Sequence, residues 1–220
     1  MHPITLTFDN GPSPGAKGPG ITERVLDVLA AHGVRSTFFV IGQKLAASPE
    51  ARRCAERAHA EGHWIGNHTW THSKPLGEIA DAAASVAEIT RTDAEIGMLT
   101  HPDRLFRPFG GGGRIGPGLL SKAATEHIEA TGHTVVLWNA IPRDWDDPES
   151  WVERALAQIE STSWPLMVLH DIEGACVARL DGFIREARNR GFTFTQDFPP
   201  DCVPIRRGTI VGEIASIVSG

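Results

Sequence analysis

Short β-like runs alternate with helical patterns along the whole chain, and this alternation limits the fold more than any other feature. Strand candidates fall at 3–8 (PITLTF), 36–41, 64–67 (WIGN), 104–108, 134–139, 165–169 and 192–195. Between them, apolar residues recur at helical spacing, as in Ile21, Val25, Val28 and Leu29. The segment 49–61 opens on Ser48-Pro49-Glu50, an N-cap followed by proline at the first helical position, and ends at Glu61-Gly62. Further helices are predicted over 77–98 and near 117–131, 148–161 and 176–190. Seven strands separated by six helices imply an α/β fold with a parallel sheet. The first loop, DNGPSPGAKGPG, is too long and too proline-rich for a dinucleotide phosphate turn, so a closed or partly closed barrel is expected. The length suits one large α/β domain or two small ones, and a single domain over 1–220 is expected, with 199–220 as a tail packing on the barrel. Within that tail, PPDCVPIRR excludes a helix, and GTIVGEIASIVSG reads as a final strand or a short apolar helix.

In such a barrel, functional groups stand at the C-terminal ends of the strands. Asp9 and Asn10 follow the first strand, His68 and His72 the third, and Arg107 ends the fourth. Asp144 and Trp145 follow the fifth, and His170 and Asp171 the sixth. Each group alone has an ordinary reading. Asn10-Gly11 is a turn signal, and a histidine after an apolar strand is often only a hydrogen-bonded structural residue. His59 and His63 make a second i, i+4 pair, read as a solvated helix end. Taken together, an acid, an arginine to keep it ionised, two histidines with metal-ligand spacing, a separate histidine and a second acid are the parts of a metal-assisted hydrolase.

Charge and composition narrow the partners. The net charge of −6 comes from interspersed acids and bases with no basic stripe, which argues against nucleic acid. No apolar run approaches the ~20 residues that a membrane span needs. Three widely spaced cysteines without a CxxC, and an opening with no basic stretch before an apolar run, lead to the expectation of a reduced, cytoplasmic protein.

The motifs resemble, in order, those of the polysaccharide deacetylases with the NodB homology domain, carbohydrate esterase family 4. TFDDGP is matched by Thr7-Phe8-Asp9-Asn10-Gly11-Pro12, and H-S/T-x-x-H by His68-Thr69-Trp70-Thr71-His72. R-P-P-Y-G is matched by Arg107-Pro108-Phe109-Gly110-Gly111, D-x-x-D-W by Ile141 to Trp145, and the L-x-H-D strand end by Val168-Leu169-His170-Asp171. The resemblance implies a distorted (β/α)7 barrel that hydrolyses C–N bonds, releasing acetate from an N-acetylated sugar or oligosaccharide. It implies Asp9 as catalytic base, held ionised by Arg107. It implies His170 as general acid, oriented by Asp144. His68, His72 and Asn10 would hold a divalent metal, zinc by preference. Gly110 would give a backbone oxyanion donor, Trp145 would wall the substrate groove, and Val168 would shape the acyl pocket.

Three departures stand out. Asn10 replaces a metal-ligating acid, leaving a neutral ligand set and weaker metal binding. Gly110 stands where the motif has Tyr, which is expected to open the groove, and Ile141 replaces an acid. Relatives resembling allantoinases act on small cyclic amides, some without metal. A metal-weak or metal-free small-amide hydrolase is therefore the second reading, and a carbohydrate-binding relative without catalysis the third.

Overall fold

The computed structural model describes residues 2–219. Seven strands run parallel to their neighbours: β1 (His2–Asp9), β2 (Thr37–Val40), β3 (Trp64–Asn67), β4 (Leu105–Phe106), β5 (Thr134–Val135), β6 (Leu166–His170) and β7 (Phe192–Thr195). Between them lie α1 (Ile21–His32), α2 (Gly42–Leu45), α3 (Pro49–Ala60), α4 (Ala82–Ile96), α5 (Lys122–Thr131), α6 (Trp151–Ser161) and α7 (Leu180–Asn189).

The sheet order β6-β1-β2-β3-β4-β5 is closed by the chain that continues from β5. Ala140 bridges Met167 in parallel, and the Val168 N–H donates to the Ala140 carbonyl at 3.0 Å. Thr5 pairs with Leu166 of β6 and also with Thr195 of β7, so these two strands lie on opposite edges of β1. β7 therefore sits below β2, which takes the upper half of the same edge through Thr7–Asp9. Closure over six strands, with the seventh tucked beneath, is how the predicted barrel comes to be distorted.

Period-two alternation separates the two sides of β1. Ile4, Leu6 and Phe8 pack with Val25 and Leu29 of α1 and with Phe183 and Ile184 of α7. The alternate residues Thr5, Thr7 and Asp9 are buried on the other face, and there Arg107 reaches Thr7 and Asp9. The same split holds in β6, where Met167 and Leu169 join the helix-side core while Leu166 and Val168 join the cluster around Phe39 and Phe106. β6 and most of β1 are buried on both faces, as a helix-covered parallel sheet requires, whereas β7 at the edge is only partly buried.

The predicted Ser48 cap is present, its hydroxyl accepting from the Ala51 N–H at 3.1 Å, with Pro49 at the first helical position. The helix predicted over 77–98 is divided. A 3-10 turn at Leu76–Glu78 comes first, and Asp81 then caps α4 by accepting from the Ala83 and Ala84 N–H groups. The strand expected at 134–139 pairs as a strand only at Thr134–Val135. Beyond it, the Leu137 N–H turns to the Cys202 carbonyl (2.7 Å) and the Asn139 N–H to Leu166 (3.4 Å).

The tail meets expectation in its final strand and differs in the stretch before it. Its PPDC stretch does contain a 3-10 turn, Pro200–Cys202. A hairpin of β8 (Ile205–Arg206) and β9 (Thr209–Ile210) then follows and pairs antiparallel with β5 through Val135 and Ile205. His63 is no solvated helix end either. It is buried, its Nδ1 accepts from the Ser36 N–H at 3.0 Å, and Phe38 packs against its ring.

Candidate active site

Asp9 and His170 are register partners on adjacent parallel strands, so their side chains leave the barrel wall side by side at its C-terminal end. Asp9 is 4% exposed. Its Oδ1 accepts from Arg107 Nη1 at 2.7 Å, and its Oδ2 lies 3.5 Å from His68 Nε2. Arg107 is wholly buried, and four oxygens fix its guanidinium: Asp9 Oδ1, Thr7 Oγ1 (2.7 Å) and the carbonyls of Val136 (3.1 Å) and Leu137 (3.2 Å). The guanidinium also lies 4.1 Å from the Phe39 ring centroid. Removal from water pulls its pKa down, and the charge and hydrogen bond of Asp9 oppose that shift.

Asp144 grips His170 twice. One carboxylate oxygen faces His170 Nδ1 at 2.8 Å, and the other accepts from the His170 backbone N–H at 2.8 Å. An acceptor at Nδ1 fixes a proton there and leaves Nε2 for chemistry. Burial disfavours the imidazolium, but the Asp144 hydrogen bond and charge outweigh it, with Asp9 and Asp171 adding, and the pKa of His170 is raised. Trp145 packs edge-on against the ring at 4.6 Å.

His68 and His72 stand on a loop after β3, not on a helix. His68 follows the strand directly, its N–H donating to the Val40 carbonyl (2.9 Å). Thr69 and His72 adopt left-handed backbone, at φ +68° and +52°. Asn67 holds this turn by accepting from the Thr69 N–H at 2.9 Å. The two rings lie 4.6 Å apart, and Phe109 packs on His72 at 4.2 Å. Burial drives both pKa values down, to about 3 for His68 and about 2 for His72, so both imidazoles are neutral and able to ligate. His68 Nδ1 donates to the Arg107 carbonyl at 2.8 Å, which directs the Nε2 lone pair toward Asp9. That outward anchor is the usual support of a metal-ligating histidine. Asn10 lines the same cleft, with its Oδ1 buried and without a hydrogen-bond partner. Two neutral imidazoles and an orphaned amide oxygen fit a divalent ion, with His68, His72 and Asn10 as the residues that would hold it.

All ten residues singled out from the sequence belong to this end of the barrel. Arg107 and Asp144 stand behind Asp9 and His170, and the other eight line one cleft of about 180 Å³, among them Gly110, Trp145 and Val168. The expected opening of the groove at Gly110 is not found. Trp138 fills the space, and a Cβ on Gly110 would lie 2.6 Å from its ring. Trp138 donates from Nε1 to the Gly113 carbonyl at 3.1 Å. Sequence reasoning missed this residue, because its place depends on the glycine opposite it. It also gave no role to Asp171, which is buried, accepts from Thr22 Oγ1 at 2.6 Å, and has its pKa pushed up to about 7 by burial. Lys44, whose Nζ donates to the Asn10 carbonyl at 2.8 Å, had no signal at all.

Comparison with known proteins places this geometry. The family model described as polysaccharide deacetylase matches residues 2–136. The chain belongs to that family. It is 35% identical over 170 residues to a chitooligosaccharide deacetylase of Rhizobium leguminosarum bv. trifolii, covering 76% of this chain and 71% of the relative. It is 26% identical over 193 residues to the peptidoglycan-N-acetylglucosamine deacetylase PgdA of Listeria monocytogenes, covering 87% of this chain. The match spans only 37% of the length of PgdA. The solved structure of peptidoglycan deacetylase PdaC from Bacillus subtilis matches with a TM-score of 0.71 at 26% identity, covering 89% of this chain and 87% of that one.

Proposed function

We propose that the chain hydrolyses the N-acetyl amide of an N-acetylated sugar or oligosaccharide, aided by a divalent metal, zinc by preference. The observation that carries the reading is the register pairing of Asp9 with His170, each backed by a buried partner of opposite charge, Arg107 and Asp144. Asp9 takes the proton of the attacking water. His170 Nε2 gives a proton to the departing amine nitrogen, and its raised pKa keeps that proton available near neutral pH. Trp145, Trp138 and Val168 bound the cleft and hold the acyl group and the sugar face. Bound at His68, His72 and Asn10, a metal ion would polarise the amide carbonyl and acidify the water.

Incubation with N-acetyl chito-oligosaccharides, with and without added Zn²⁺ or Co²⁺, tests the reading through acetate release. Turnover that is lost in Asp9→Ala and His170→Ala supports it. No acetate from any N-acyl sugar under either condition overturns the sugar substrate.

A second reading, a metal-weak hydrolase of small amides, is favoured by Lys44. Its ammonium on the Asn10 carbonyl adds a positive charge beside a ligand set that already lacks an acid. Activity that survives exhaustive chelation selects this version, and stoichiometric chelator-sensitive metal rejects it. The three cysteines are buried free thiols, which supports a reducing, cytoplasmic setting, and cell fractionation checks it.

A further inference from the structure

A second cluster of ligand-type side chains lies on the helix side of β3, outside the catalytic cleft. Asp93 of α4, His127 of α5 and His133, just ahead of β5, bring three ligand atoms within 4.8 Å of one another. His133 is fully buried, and the other two are partly buried. The protons can be assigned. Thr131 Oγ1 spends its only proton on the His127 carbonyl (2.6 Å), so it accepts from His133 Nδ1 (2.7 Å). His133 Nδ1 therefore carries a proton, and Nε2 faces Asp93 Oδ2 at 2.9 Å. In a neutral ring that contact sets two lone pairs against each other, so positive charge must lie between them. Either a second proton or a metal ion can supply it.

His127 distinguishes the two. Its Nε2 is buried with no hydrogen-bond partner, a costly state that a proton on His133 does not relieve. A cation shared by all three residues relieves both. The carboxylate is already held from behind, Oδ1 by Asn67 Nδ2 (2.7 Å) and Oδ2 by Arg104 Nη2 (2.9 Å), as the outer partners of a ligating carboxylate hold it. Arg104 opposes a cation, but its side chain is 40% exposed, so water screens that charge. Across an occupied tetrahedral zinc the ligand atoms stand about 3.4 Å apart. Closing the shell therefore needs only a modest inward swing of His127, the partly exposed member.

We propose that Asp93, His127 and His133 form a second metal site, for a borderline divalent transition ion such as zinc, with water completing a tetrahedral shell. Two imidazole nitrogens and one carboxylate oxygen select that class over calcium or magnesium. The ion would pin α4 to α5. Through Asn67, which bonds both Asp93 and the Thr69 N–H, it would also brace the loop that carries His68 and His72.

Zinc stoichiometry and Co²⁺ absorption test the site in the full chain. In a His68→Ala/His72→Ala variant, one zinc equivalent remains after dialysis, and Co²⁺ gives the ligand-field bands of a tetrahedral site. Adding His127→Ala weakens that binding at least tenfold and abolishes the zinc-dependent rise in melting temperature. If the double variant does not fold, His127→Ala should bind one zinc equivalent fewer than wild type, whatever the occupancy of the His68–His72 site. A double variant that folds and binds no zinc overturns the proposal, as does His127→Ala with unchanged stoichiometry and affinity. The absence of deacetylation would leave these readouts untouched, so the two proposals fail separately.

Discussion

Asn10 occupies the left-handed backbone region, at φ +73°, where asparagine and aspartate are the best tolerated of the larger residues. An acid at this position would therefore keep the turn and add the missing charge. Asn10→Asp is expected to raise zinc affinity at the His68–His72 site on the order of tenfold, since ligand charge sets the affinity of such sites. Competition with a coloured chelator in a His127→Ala background reads that site alone, and an unchanged constant would remove Asn10 from the ligand set. Arg107 poses the complementary question, because its guanidinium is the buried counter-charge of Asp9. Arg107→Met leaves that carboxylate buried and unpaired, which costs about 3–5 kcal/mol of stability. Urea unfolding should register the loss, and an added Asp9→Asn should recover part of it. If the double variant is no more stable than Arg107→Met, the arginine acts through packing on Phe39 rather than through charge.

At the scale of elements, the TFDNGP turn is built against β6 and α1. The Ser13 N–H donates to Thr22 Oγ1 (2.7 Å), and Thr22 Oγ1 donates to Asp171 Oδ2 (2.6 Å). Asp171 in turn fills the space where a side chain at residue 11 would go, and a Cβ on Gly11 would overlap its carboxylate. Gly11→Ala should therefore displace either the turn or Asp171. The expected cost is about 1–3 kcal/mol, with a larger fall in kcat because Asp9 and His170 flank the strained contact. A melting curve and turnover number that match wild type would refute this. How legible each element was from sequence follows from where its hydrogen bonds go. β3 was placed to the residue because Trp64–Asn67 pairs along its length with β2. The strand after Thr134 was overestimated because its N–H groups are taken by the tail and by β6, both remote in sequence. α2 has four residues, too few to show a period. The β8–β9 hairpin turns on Arg207-Gly208, both at positive φ, and arginine is no signal for such a turn. The candidate site residues were legible because strand ends collect them. Trp138 and Asp171 were not, because their roles depend on the glycines opposite them.

For the whole molecule, several buried histidines tie stability to pH. His63 is the clearest case, since it lies at the N-terminal end of β3, remote from the cleft at the other end of the strands. Burial lowers its pKa to about 4, and its Nδ1 must stay unprotonated to accept from the Ser36 N–H. The unfolded chain regains an ordinary histidine pKa of about 6.5, so between these values it binds more protons than the native state. Stability then rises with pH across that window, and it is lost as pH falls from about 6.5 toward 4. The term is roughly 2 kcal/mol at pH 5. His68 and His72 act with the same sign. Asp171 and His170 act with the opposite sign, because their raised pKa values favour the protonated native state and their contribution is lost as pH rises. Comparing His63→Gln with wild type cancels these shared terms, and the glutamine carbonyl can still accept from Ser36. The variant should lose less stability than wild type between pH 7 and pH 5, by about the 2 kcal/mol that His63 contributes. Equal slopes for the two proteins in urea titrations at both pH values would mean that His63 becomes protonated without unfolding the chain around it.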